Sequence, residues 1–204
     1  MMALLGPLAV GFALGVRHAT DADHLVAIGA MLERRHTWGR SLQLAASWGL
    51  GHSLSLCTLG FLIVVADIHP PREFDSLAEA AVAVMLIGLG LLRLLRPSIA
   101  QQHGLSHLRP FGVGVVHGLG GSGAVVLFAV TTVAPQARAL GYLVLFAFGT
   151  VAGMVVLTFA MSSGLNLSAR AGPRVIAGIT KLAAIGSVAF GIALAIRLLW
   201  SAFE

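Results

Sequence analysis

Five ionisable side chains crowd eight consecutive residues of an otherwise apolar stretch, Arg17-His18-Ala19-Thr20-Asp21-Ala22-Asp23-His24. Two imidazoles and two carboxylates offer neutral nitrogen and anionic oxygen donors, a set suited to Ni²⁺, Co²⁺, Zn²⁺ or Fe²⁺. No thiolate joins them, which argues against a soft Cu(I) site. Cys57 is the single cysteine, lies in another apolar run, and can form neither an internal disulfide nor a thiol relay. A charge at membrane depth costs at least about 2.5–3.5 kcal/mol, so such groups pair with one another or serve a ligand. One pairing needs no ligand: Arg17 and Asp21 are i,i+4 on a straight helix. The density of the cluster favours a cation site, with His18, Asp21, Asp23 and His24 as metal donors and Arg17 as their charge partner.

Helical geometry separates two versions of this site. At 100° per residue, His18, Asp21 and His24 fall within about 120° of one another, and Asp23 stands about 100° from His24. A straight helix would use Asp21. For His18, Asp23 and His24 to converge, the helix must unwind. The apolar segment Met1–Met31 makes unwinding feasible: straight, it would run about 46 Å against a hydrocarbon core of about 30 Å, and Gly11, Gly15 and Gly29 lie within it.

Two further histidines sit in apolar surroundings. His52 belongs to Gly49-Leu50-Gly51-His52-Ser53, where small residues let helices approach closely. His117 opens His117-Gly118-Leu119-Gly120-Gly121-Ser122-Gly123, a glycine run suited to a broken or tightly packed helix. It is no phosphate loop, since it lacks the Gly-Lys-Ser/Thr ending and the strand before it. Both histidines are candidate path or secondary ligands, although either could be a structural hydrogen bonder. His36, His69, His103 and His107 lie in loops and read as solvated.

The elements that position these groups are set by composition. The chain has 204 residues, 57% hydrophobic and only 10% charged, with a mean hydropathy of +0.92. A soluble domain carries about 25% charged residues, so a soluble enzyme, a disordered chain and a disulfide scaffold are excluded. Six apolar stretches stand out: Met1–Met31, Ser41–Ala66, Leu77–Leu95, Phe111–Ala134, Leu140–Ser162 and Val175–Trp200. A lipid-exposed segment must satisfy its own backbone, and the period-2 pattern of barrel strands is missing, so the expected fold is all-α: a polytopic membrane protein of about six transmembrane helices. The apolar start lacks the basic flank of a signal peptide and reads as part of the first span. The net charge of +5 reflects Arg in loops rather than nucleic-acid binding. Arg34, Arg35, Arg40, Arg93, Arg96, Arg109, Arg170 and Arg174 follow the odd-numbered stretches; the opposite side has Arg72, Arg138 and Arg197 with Asp67, Glu73 and Asp75. The positive-inside rule then puts both termini outside the cytoplasm.

The chain also echoes itself. Phe12–Met31 aligns without gaps on Phe111–Val130, with six of twenty pairs identical: Phe12/Phe111, Gly15/Gly114, Val16/Val115, His18/His117, Val26/Val125 and Ala30/Ala129. Trp48-Gly49 resembles Phe148-Gly149, and Arg93-Leu94-Leu95 resembles Arg197-Leu198-Leu199. Three helices per half is an odd number, so the halves would run oppositely through the membrane as a 3+3 inverted repeat. The expected organisation is one integral membrane domain over 1–204, with repeats over 1–95 and 110–204.

At these residues a family resemblance emerges. Arg17–His24 resembles the signature of the nickel/cobalt transporter family, whose core is His, any four residues, Asp, His. Gly51-His52-Ser53 is similar to the family's next signature, and Phe148-Gly149-Thr150 with Gly153-Met154 to a later one. Typical members have about eight helices and acidic motifs in the second half, where this chain has His117–Gly123 and Leu157-Thr158. The short form resembles the urease accessory membrane permeases of the same superfamily. The resemblance implies a multi-pass protein of a bacterial-type inner membrane that carries nickel, with cobalt next, and no prosthetic group. It points to a metallochaperone or urease-type enzyme system as partner.

The residues and the resemblance together lead us to expect a transporter of a divalent transition-metal cation and not an enzyme. The rival readings are an intramembrane His/Asp metalloenzyme and an accessory membrane subunit without transport of its own. Against the first, the cluster holds no Glu to act as general base and no His-Glu-x-x-His pair.

Overall fold

The computed structural model describes residues 2–32, 37–71, 73–95, 108–120, 136–168, 170 and 172–201. Among the described residues lie seven α-helices: α1 (Met2–His18), α2 (Ala22–Met31), α3 (Trp38–Val64), α4 (Glu73–Leu95), α5 (Leu108–Leu119), α6 (Gln136–Ser168) and α7 (Pro173–Ser201). Four are long and apolar enough to cross a membrane: α3, α4, α6 (from Ala137) and α7. Large apolar side chains face outward, with Leu50, Val84, Phe148, Val156 and Leu182 all more than half exposed. In water such a surface would aggregate; in lipid it needs no cover. The chain is an all-helical membrane protein.

The first apolar stretch is two helices, α1 and α2, separated by Ala19–Asp21. The fourth stretch begins as α5, and its remainder, with the glycines from Gly121 and the loop histidines His36, His103 and His107, lies outside the described residues. At the start of α7, Gly172 takes φ +113, a left-handed conformation open to glycine, and Pro173 occupies the first helical position, where its missing N–H is no loss.

Close approach of backbones organises the bundle, and the contacts come in pairs. A β-carbon at Gly51 of α3 would overlap the carbonyl oxygen of Phe111 in α5, and one at Gly149 of α6 would overlap that of Phe12 in α1. In the same way Gly114 abuts the Trp48 carbonyl and Gly15 the Phe146 carbonyl. These are small-residue helix crossings, which bring main chains together where lipid supplies no hydrophobic drive. On α4 and α7, Gly90 meets the Ala184 carbonyl and Gly191 the Ala83 carbonyl. The correspondence of α1 with α5 keeps the sequence alignment (Phe12 with Phe111, Gly15 with Gly114). That of α3 with α6 matches Trp48 with Phe146 and Gly51 with Gly149, two residues from the match suggested by Trp48-Gly49 and Phe148-Gly149. Packing glycines, not aromatic look-alikes, set the register.

Hydroxyls tie the helices where apolar side chains cannot. Ser55 Oγ donates to the Val115 carbonyl at 2.8 Å, Ser187 Oγ to the Leu86 carbonyl at 2.8 Å, and Ser41 Oγ to Ser162 Oγ at 3.0 Å. The main buried cluster joins Ile28, Trp48, Leu86 and Met154 from α2, α3, α4 and α6. It lies directly against the histidines.

Candidate metal centre

The break between α1 and α2 is built by its own residues. Thr20 N–H donates to the Arg17 carbonyl at 2.9 Å and Asp21 N–H to the His18 carbonyl at 3.0 Å, which tightens the last turn of α1 and ends it. Thr20 Oγ1 donates to the same Arg17 carbonyl at 2.6 Å. Asp21 then turns extended, at φ −62 and ψ 150, and α2 begins. Of the two geometries open to the sequence, the broken one is present.

The break divides the two carboxylates. Asp21 stays at the surface, where Oδ2 accepts from His18 Nδ1 at 2.8 Å. Asp23, in the first turn of α2, is turned inward and uses both oxygens: Oδ1 accepts from His24 Nδ1 at 3.1 Å, and Oδ2 from His117 Nε2 at 2.9 Å. The i,i+4 register between Arg17 and Asp21 ends with α1, and among the described residues Arg17 makes no ion pair with Asp21. Arg17 is exposed.

Four helices deliver four imidazoles. His18 closes α1, His24 lies in α2, His52 is mid-way along α3, and His117 is near the end of α5. The His24 ring centroid stands 4.7 Å from His18, 5.3 Å from His52 and 4.4 Å from His117. His24, His52 and His117 are at most 1% exposed. Donor atoms of His18, His24 and His52 lie within 4.8 Å of one another, and so do those of Asp23, His24 and His117. Donors bound at about 2.0–2.1 Å stand about 3.3 Å apart around a tetrahedral metal, so small side-chain rotations would close either set.

Hydrogen bonding sets the tautomers of two of these rings. A carboxylate only accepts, so His24 Nδ1 and His117 Nε2 carry the protons they donate to Asp23, and the other nitrogen of each neutral ring keeps a lone pair. Those atoms, His24 Nε2 and His117 Nδ1, are buried without a hydrogen-bond partner, as are both nitrogens of His52. A buried polar atom left unpaired costs about 1–3 kcal/mol. Among these atoms, His24 Nε2 and one nitrogen of His52 are ones that a bound cation would relieve.

One neighbour was missed by sequence reasoning. Trp48 is fully buried, its ring centroid 5.3 Å from His24 and 5.9 Å from His117. It walls the site with an apolar face. Its signal was present: Trp48 and His52 are i,i+4 on α3 and share a face.

Against known proteins, this chain is 29% identical over 184 residues to the urease accessory protein UreH of Bacillus sp. (strain TB-90), a match covering 82% of this chain and 81% of that protein. It is 36% identical over 77 residues to the high-affinity nickel transport protein of Cupriavidus necator, 37% of this chain and 22% of that one. The chain is thus similar over most of its length to a urease accessory protein, and over about a third of it to a nickel transport protein. Both relatives are named for transport or accessory roles, not catalysis. No family profile and no solved structure matches.

Proposed function

We propose that this protein carries a divalent transition-metal cation, nickel first and cobalt next, across a bacterial-type inner membrane. The observation that carries the reading is the gathering of His18, Asp23, His24, His52 and His117 from four helices, with four unpartnered buried nitrogens among them. Imidazole and carboxylate donors suit Ni²⁺ and Co²⁺, and the cargo ion is substrate, not a resident cofactor. His18, Asp23 and His24 capture the dehydrated ion, His52 and His117 complete the path, and Asp21 with Arg17 tunes charge at the surface-facing end. UreH is named as a urease accessory protein, which supports delivery of the ion toward a urease-type enzyme system or a metallochaperone.

In this reading the chain spans the membrane six times, α1 and α2 forming one broken span and α5 beginning another, with both termini outside. The paired glycine contacts support a 3+3 inverted repeat over 1–95 and 110–204. The site would lie between the halves, and rocking of one half against the other would open it to each side in turn. The test is uptake of Ni²⁺, Co²⁺, Zn²⁺ and Mn²⁺ into liposomes containing only this protein. Uptake of Ni²⁺ or Co²⁺ above empty vesicles is expected. No uptake of any ion by folded, inserted protein would leave an accessory subunit as the better reading.

A further inference from the structure

His24 belongs to both donor sets. In the first it stands with His18 and His52; in the second with Asp23 and His117. Its two nitrogens are differently engaged: Nδ1 faces Asp23, and Nε2 is buried without a partner. The outer members of the two sets, His18 and His117, are matched by the alignment of Phe12–Met31 on Phe111–Val130, and they flank His24 at 4.7 and 4.4 Å. Each set has one member that reaches the surface. The His18 side chain is 18% exposed and that of Asp23 30%, while the shared His24 side chain is fully enclosed.

We propose that the centre is two overlapping three-donor sites, His18–His24–His52 and Asp23–His24–His117, and that a single ion passes between them on His24. This rests on the metal-carrier reading above. The ion enters or leaves through the exposed member of each triad, and the enclosed imidazole holds it in transit. A neutral imidazole has one lone-pair nitrogen, so the shared His24 serves one ion at a time and the two triads do not fill together. The sites differ in charge. The all-imidazole triad leaves the ion's charge uncompensated, whereas Asp23 removes one unit, so the ion moves between a looser and a tighter station. Multiple stations of moderate affinity let a bound ion leave again. In the first triad His24 binds through Nε2 and keeps its proton on Nδ1, toward Asp23. For the second triad to bind, water at the exposed edge of Asp23 takes the protons that His24 Nδ1 and His117 Nε2 donate to it and returns one to the opposite nitrogen of each ring, so neither ring changes charge.

The experiment uses purified full-length protein in detergent with Co²⁺ as probe. Binding is read by equilibrium dialysis, and donor type by X-ray absorption. His52→Asn cripples the first triad alone and His117→Asn the second alone; both variants keep a polar side chain without an imidazole, and gel filtration with circular dichroism checks their fold. Wild type should bind one Co²⁺ per chain. Each single variant should still bind one, within about tenfold of wild type, and the double variant should bind at least about a hundredfold more weakly. His52→Asn should show a carboxylate donor, and His117→Asn should show imidazole without carboxylate. Both should lose liposome uptake. Loss of binding in either single variant would mean one composite site, and wild-type uptake in either would mean that the crippled triad is no station on the path; each overturns the relay while leaving the carrier reading standing. Two ions bound to wild type would also overturn it. No Co²⁺ bound by wild type would remove the carrier reading itself.

Discussion

His117 Nε2 donates to Asp23 Oδ2 at 2.9 Å across 94 residues of sequence. The bond joins α5 to the first turn of α2, and on the same carboxylate the other oxygen holds His24. One acidic side chain therefore sets the orientation of two rings 93 residues apart in the sequence. Asp21, only two residues earlier, is at the surface with His18. The two aspartates of the signature are not equivalent.

From this we expect Asp23→Ala and His24→Ala each to lower Ni²⁺ uptake in liposomes by at least about a hundredfold, since ligands and the groups that orient them carry metal affinity. Asp21→Ala should keep uptake within a few-fold. Full uptake by Asp23→Ala together with loss in Asp21→Ala would contradict the inward placement of Asp23.

The buried indole offers an optical readout. Trp48 is the tryptophan beside His24 and His117, whereas Trp38 and Trp200 are largely exposed, at 70% and 71%. Paramagnetic Ni²⁺ or Co²⁺ bound at the histidines should quench the Trp48 emission, and titration should saturate. Trp48→Phe should remove the saturable part. Equal saturable quenching in Trp48→Phe would place the bound ion elsewhere.

The glycine crossings predict where small substitutions matter. Gly51→Ala and Gly149→Ala each drive a methyl group into a carbonyl of the facing helix, and overpacking of this kind costs about 1–3 kcal/mol. Gly112→Ala and Gly88→Ala meet nothing within 4 Å. Thermal unfolding in detergent should show a lower Tm for the first two and no loss for the second two. Equal Tm values across all four would refute the close approach of α3 to α5 and of α6 to α1.

Orientation is testable with engineered cysteines in a Cys57→Ser background. The positive-inside count places Asp67 outside and Arg170 in the cytoplasm, and both residues are exposed. A membrane-impermeant maleimide applied to intact cells should label Asp67→Cys and spare Arg170→Cys until the cells are opened. The reverse pattern would invert the topology.

The sequence by itself determined the solvent of this protein and which ionisable groups are stranded within its apolar stretches. An excess of apolar residues leaves no surface fit for water, and ionisable groups at membrane depth are too costly to be incidental. His18, Asp23 and His24 were legible as a donor set because their types and spacing are local, and His52 and His117 as histidines stranded in apolar runs. The sequence also left two geometries open at Arg17–His24, a straight helix using Asp21 and a broken one using Asp23. Only the tertiary structure decided between them, because hydrogen bonds that end α1 at His18 turn Asp23 toward a partner on α5. The pairing of Trp48 with Phe146, not Phe148, was likewise undecided by residue likeness. It depends on which glycine lets which carbonyl approach, a steric fact of two helices in contact that neither sequence carries alone.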